Sequence, residues 1–354
     1  MTAYHVLNLV GSRLHSLPLI VLYLTDGCNS RCVTCDIWRS PRRNMALPLV
    51  EQIAGACREL RVQHVLFSGG EAMQHPQWPD IARRFRAEGV RVLLLTNGLL
   101  LRRQAPDVIA HIDEVIVSLD GGTAATYAAI RGVDGFDLVL DGIRAVRAGG
   151  IPVTTRTTIQ RANYAELPLI IRAANAVGTN HISFLAVDVS SAEAFGPRFA
   201  PDPALPLIAS GPGAPPEHGP AAAALTAEDI DAFSAVLDAV ETEFAPAFAS
   251  GQIVESPAKL RRMVTYFRAV IGQAAFEPPR CNAPHLSTVI EVDGTLRPCY
   301  FLPAYGRYSG GDLRAAINTD AAQALRRAYR AGQRPECARC VCPLYRGPRA
   351  LMRS

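Results

Sequence analysis

The chain has 354 residues, 49% of them hydrophobic, which is enough for one large domain plus a smaller one. Its 36 basic and 32 acidic residues leave a net charge of +4 with no long basic run, so no nucleic-acid partner is expected. No apolar run reaches membrane-spanning length and the N-terminus lacks the basic start of a secretory signal, so a cytoplasmic protein without a membrane partner is expected.

Residues 1–15 read as an N-terminal extension. From 16 to 195 short apolar runs alternate with amphipathic stretches: LIVLYLT (19–25), HVLFS (64–68), VRVLLLT (90–96), EVIVSLD (114–120), PVTTRTTI (152–159) and HISFLAV (181–187). Between them lie helix-like segments such as LPLVEQIAGACREL and FDLVLDGIRAVRAGG, the latter ending in glycine. Six such repeats predict an α/β fold, a parallel sheet with helices outside. Periodicity leaves open a partial barrel or a doubly wound sheet. Residues 196–225 are Pro/Gly/Ala-rich and read as a long loop or lid. Two helices are predicted in 226–280, the first capped by Thr226. Residues 281–345 form a short cysteine-rich segment, expected as a separate metal-stapled module, and 346–354 a tail.

Nine cysteines fall mostly at the two ends of the chain. In a reducing compartment this favours metal over disulfides. Cys28, Cys32 and Cys35 stand as C-x3-C-x2-C directly after the first strand run. Structural zinc is closed by four protein ligands, whereas a 4Fe–4S cluster with three cysteines keeps one iron open. Cys57 lies in an apolar helical pattern and reads as a buried hydrophobe.

This motif, after the first strand of a βα repeat, resembles the signature of the radical S-adenosylmethionine (radical SAM) superfamily. The resemblance implies a partial (β/α)6 TIM-like barrel. It also implies a 4Fe–4S cluster on Cys28, Cys32 and Cys35, with SAM on the open iron. Ser68, Gly69, Gly70 and Glu71 resemble the family's GGE motif, which holds the SAM amino group through backbone and carboxylate. Asn97 lies in a TNG at the end of strand three. Ser118 and Asp120 resemble the strand-four residues near the SAM ribose and carboxylate. Arg156 is implied to pair with that carboxylate and Ile159 to pack on adenine. Thr34 departs from the pattern, since an aromatic residue often precedes the third cysteine, so Ile159 or Trp38 is expected to supply adenine packing.

At the C-terminus, STVIEVDGTLRPC reads as a β-hairpin turning at Asp293-Gly294, which brings Cys281 and Cys299 towards one site. Cys337, Cys340 and Cys342 follow in CARCVC, a half-site for zinc or iron–sulfur. The pattern C-x12-G-x4-C, a gap and C-x2-C resembles the auxiliary-cluster domains called SPASM and, shortened, Twitch. The resemblance implies a second 4Fe–4S cluster on Cys281, Cys299, Cys337 and Cys340. Cys342 is then an alternative ligand, a structural thiol or a catalytic hydrogen-atom donor.

The function implied is reductive SAM cleavage and hydrogen abstraction from a small-molecule substrate, giving dehydrogenation or epimerisation. An external one-electron reductant such as flavodoxin or ferredoxin is implied. The alternatives are a maturase of a ribosomally made peptide, and a non-enzymatic electron carrier or zinc scaffold.

Overall fold

Six apolar segments form parallel strands: β1 (Leu19–Thr25), β2 (His64–Gly69), β3 (Arg91–Thr96), β4 (Glu114–Ser118), β5 (Val153–Ile159) and β6 (His181–Ala186). The structure, a computed structural model, describes residues 3–190 and 220–347. Residues 196–219 of the expected loop and 348–354 of the tail lie outside the described residues. The strands pair in chain order from β1 to β6. A doubly wound sheet reverses strand order at a switch point; this one never does, so it curls one way as a partial barrel.

Helices α1 (Leu47–Leu60), α2 (Trp78–Ala87), α3 (Ala105–His111), α4 (Ala124–Arg131), α5 (Phe136–Ala148) and α6 (Leu167–Ala176) connect the strands. Their apolar faces bury one side of the sheet, with Phe67, Val92, Leu94, Val115, Val117 and Ile182 fully enclosed. The other face, carrying Ser68, Ser118 and Arg156, is only partly buried and forms the lumen. Among the described residues no helix is long and apolar enough to cross a membrane.

Helix α7 (Ala227–Glu243) starts at Thr226, whose side chain forms a capping box with Asp229; α8 (Pro257–Val270) is capped by Ser256. The C-terminal segment departs from the expected separate module. Its strand β7 (Ser287–Ile290) pairs parallel with β1, and β8 (Thr295–Arg297) and β9 (Gly306–Arg307) follow antiparallel, making one nine-stranded sheet. The outer edge of β1 would otherwise present unpaired backbone groups beside an apolar core. The hairpin turns at Gly294, whose φ of 87° suits glycine. Arg326, on α9 (Asp320–Arg330) and 1% exposed, locks this region down. It donates to the carbonyls of Pro284 at 3.0 Å, Ser12 at 3.1 Å and Ile317 at 2.7 Å. The N-terminal extension is therefore part of the seam rather than an appendage.

Candidate cluster sites and pocket

The loop carrying Cys28, Cys32 and Cys35 leaves β1 and is held from two sides. Arg31 and Val33 donate backbone N–H groups to the carbonyls of Arg131 and Ile130 at the end of α4. On the other side the glycines of β2 press against it: Gly70 N donates to Thr25 O and Glu71 N to Gly27 O, both at 2.8 Å. A Cβ on Gly69 or Gly70 would collide with the carbonyl oxygens of Thr25 or Gly27, so the close approach requires glycine at both.

Polar groups face the sulfurs. Ser30 N lies 3.5 Å and Asn97 Nδ2 3.7 Å from Cys28 Sγ, and Arg131 Nη1 lies 3.6 Å from Cys32 Sγ. Burial, with the charge of neighbouring thiols, pushes the Cys28 thiol up; burial pushes the Cys32 thiol up despite Arg131. Such sulfurs become thiolates only when a metal supplies positive charge, and the nearby N–H groups then serve as their donors. The donor set therefore fits an iron–sulfur cluster. Among the described residues no three His, Cys, Asp or Glu side chains converge as for a single bound ion.

Arg131 has no counterpart in the sequence reading. It sits at the last turn of α4, where a basic residue reads as ordinary helix-end charge. Its Nη2 lies 2.7 Å from Asp120 Oδ2. Burial pulls Arg131 down, but the charges of Asp120 and Cys32 more than offset it and hold it above its usual value. Asp120 is spent on this pair and on Thr158 N at 2.7 Å, so it positions Arg131.

Glu71 likewise differs from the expected ammonium contact. Its carboxylate is 0% exposed and accepts from Met73 N, Thr96 Oγ1 and Asn97 N at 2.8–3.1 Å. It ties the end of β2 to the end of β3. Asn97, so held, donates to Asn29 Oδ1 at 2.7 Å on the cysteine loop. Ser118 and Arg156 are register partners on β4 and β5, side by side on the lumen face. Ile159 does not join them. An odd spacing from Arg156 turns it to the helix face, where it is 0% exposed and offers no surface for adenine. Trp38 is also buried, with the Arg39 guanidinium 5.0 Å from its ring centre.

Cys281, Cys299, Cys337, Cys340 and Cys342 all line one small cavity of about 40 Å³. Burial, then the charges of neighbouring thiols, pushes Cys299 up to about 11 and Cys337 up to about 12. Cys342 is exposed. Cys57, buried, donates to Ile53 O at 3.4 Å inside α1, away from either group.

A second, larger cavity of about 460 Å³ lies between β5, β6, α8 and the segments around 276–280 and 338–345. Arg156 lines its strand wall, and Cys340 and Cys342 line both this pocket and the five-cysteine cavity.

A partial parallel barrel with an open three-cysteine loop at the end of its first strand defines the barrel class of iron–sulfur enzymes. The radical SAM superfamily model matches residues 22–174, the stretch that carries the three-cysteine loop and the strands from β1 to β5. An AdoMet-dependent heme synthase of Methanosarcina barkeri is 30% identical over 175 residues, covering 47% of this chain and 50% of the relative. A probable GTP 3',8-cyclase of Saccharolobus islandicus is 30% identical over 167 residues, 46% of this chain and 54% of the relative. The chain thus spans about half the length of the curated relatives it matches. Among solved structures, Streptococcus suis SuiB bound to S-adenosylmethionine superposes with a TM-score of 0.62 at 13% identity, over 96% of this chain and 76% of SuiB. Native anSMEcpe with bound AdoMet gives 0.63 at 15% identity, over 92% of this chain and 89% of that chain. These likenesses carry the fold, including the partial barrel.

Proposed function

We propose that the protein is a radical SAM oxidoreductase acting on a small molecule in the 460 Å³ pocket. One observation carries this reading: Cys340 and Cys342 are shared walls of that pocket and of the five-cysteine cavity. The volume suits a small ligand. Cys28, Cys32 and Cys35 would hold a 4Fe–4S cluster. SAM would meet the main chain of Ser68, Gly69 and Gly70 together with Asn97, Ser118 and Arg156. Once bound, cluster and SAM would supply a 5′-deoxyadenosyl radical able to take a hydrogen atom from an unactivated carbon. Cys281, Cys299, Cys337 and Cys340 would hold a second 4Fe–4S cluster, leaving Cys342 as a thiol on the pocket wall.

Two outcomes suit this layout. In epimerisation the Cys342 S–H bond breaks and a C–H bond forms on the substrate. The thiyl radical then takes one electron and one proton, the electron from an external reductant such as flavodoxin or ferredoxin. In dehydrogenation Cys281, Cys299, Cys337 and Cys340 would hold the group that accepts the substrate's electron, while solvent would take the proton.

A second reading is peptide maturation. SuiB bound to its precursor peptide SuiA superposes on 96% of this chain with a TM-score of 0.61, and an anSMEcpe structure contains a Cp18Cys peptide. Anaerobic reconstitution with dithionite and SAM tests the enzyme class. The expected result is 5′-deoxyadenosine well above a Cys28→Ala control, with roughly seven to eight irons per chain for two four-iron clusters. Absence of both leaves only the carrier or scaffold alternative.

A further inference from the structure

We propose that the 460 Å³ pocket recognises a substrate bearing a negatively charged group, a carboxylate or a phosphate; the inference rests on reading this pocket as the substrate site. Among its described lining residues five side chains are basic (Arg156, Lys259, Arg262, Arg280 and Arg339) and two acidic (Glu255 and Glu277). Both acids are already engaged. Glu255, buried, accepts from Ser183 Oγ and Phe184 N on β6 and lies 3.3 Å from Lys259 Nζ. Glu277 lies 3.8 Å from Arg262 Nε.

The remaining three cations have no acidic partner among the described residues. Arg339 stands 5.5 Å from the ring centre of Phe276, and Arg280 4.6 Å from that of Tyr345, whose hydroxyl it also meets at 3.0 Å. Neither contact neutralises a charge. Arg156, on the strand wall, has its Nε buried with no hydrogen-bond partner among the described residues. SAM's carboxylate can occupy Arg156, but Arg280 and Arg339 stand on the C-terminal walls. A cleft lined by one sign of charge between low-dielectric walls focuses its field and concentrates the opposite ion. The planar guanidinium fork matches a carboxylate or phosphate. Concavity favours a small molecule over the flat face of an acidic protein.

The test uses the cluster-loaded protein and calorimetric titration with pyrophosphate, citrate and the neutral polyol erythritol at low ionic strength. Pyrophosphate or citrate is expected to bind and erythritol not; whichever anion binds tighter identifies the group. Affinity should fall steeply with added salt. Replacing Arg280→Glu and Arg339→Glu together should weaken anion binding by about tenfold or more. Arg339→Lys, which keeps the charge but not the fork, should lose less than Arg339→Glu, and Arg103→Glu elsewhere on the surface should change nothing. A thermal melt of each variant excludes misfolding. Failure of both anions to bind, or equal losses for Arg339→Lys and Arg339→Glu, overturns the proposal. Formation of 5′-deoxyadenosine in the same preparation is scored separately. Its absence overturns the radical SAM function, while anion binding needs no SAM.

Discussion

Arg131 donates to the sulfur of Cys32 at 3.6 Å from a helix end 99 residues away in sequence. The same guanidinium is paired with Asp120, and both side chains are largely withdrawn from water. A cation at a cluster thiolate favours the more negative, reduced state of the cluster. Arg131→Met should therefore shift the potential of the first cluster to more negative values, read by redox titration. It should also strand Asp120, lowering stability by about 3–5 kcal/mol. The double variant Asp120→Asn, Arg131→Met should recover part of that stability and none of the potential. Equal potentials in wild type and Arg131→Met would show that the guanidinium does not tune the site.

Glu71 is a strut between two strand ends. Glu71→Gln places an amide N–H₂ among donors, leaving at least one of Met73 N, Asn97 N and Thr96 Oγ1 without an acceptor. The expected cost is about 1–3 kcal/mol per stranded buried group, seen as a lower melting temperature without SAM present. If Glu71 served only as an ammonium contact, SAM affinity would fall and the melting temperature would hold.

Cys340 and Cys342 are separated by the same kind of experiment. Cys340→Ser should lose close to four irons, while Cys342→Ser keeps them, because Cys340 is half-buried and Cys342 exposed. Cys342→Ser should still yield 5′-deoxyadenosine but turn over substrate more slowly. Full iron and full turnover in Cys342→Ser would remove it from both roles.

His285 is 3% exposed, and burial, followed by the charges of Arg326 and Arg330, lowers it to about 4; among the described residues neither ring nitrogen has a hydrogen-bond partner. The unfolded chain takes up this proton near pH 6.5 and the folded chain only near 4. Stability is therefore fully present above about pH 6.5 and falls with pH down to about 4, at up to ~1.4 kcal/mol per pH unit. His285→Phe keeps the ring beside Tyr329 and removes the titration. Its melting temperature at pH 7.5 should match or exceed wild type, and its loss on moving to pH 5 should be smaller. An unchanged pH dependence would place the sensitivity in other buried histidines, such as His5, also lowered to about 4 by burial first and nearby cations second.

Strand and helix positions were largely legible. The run 19–25 is β1, 47–60 is α1, and Thr226 caps α7, because β-branched runs, 3.6-residue periodicity and capping side chains act locally. The two cysteine groups and the glycine turn were legible by spacing. Less legible was which face each residue takes. Arg156 and Ile159 read as neighbours, but the two-residue period of a strand sends them to opposite sides of the sheet. Arg131 was hidden because a basic residue in a last helical turn looks like surface charge until its partners arrive from other strands.

By itself the sequence determined the strand–helix repeats, the three-cysteine loop after β1 and a second group of cysteines, since each depends on residues close in the chain. Only the tertiary structure decided that β7 completes the edge of β1, that Glu71 and Asp120 are turned inward, and that Cys342 shares a wall with a pocket of excess positive charge. Those features arise where separate chain segments meet, and burial and charge balance there are properties of the meeting rather than of either segment.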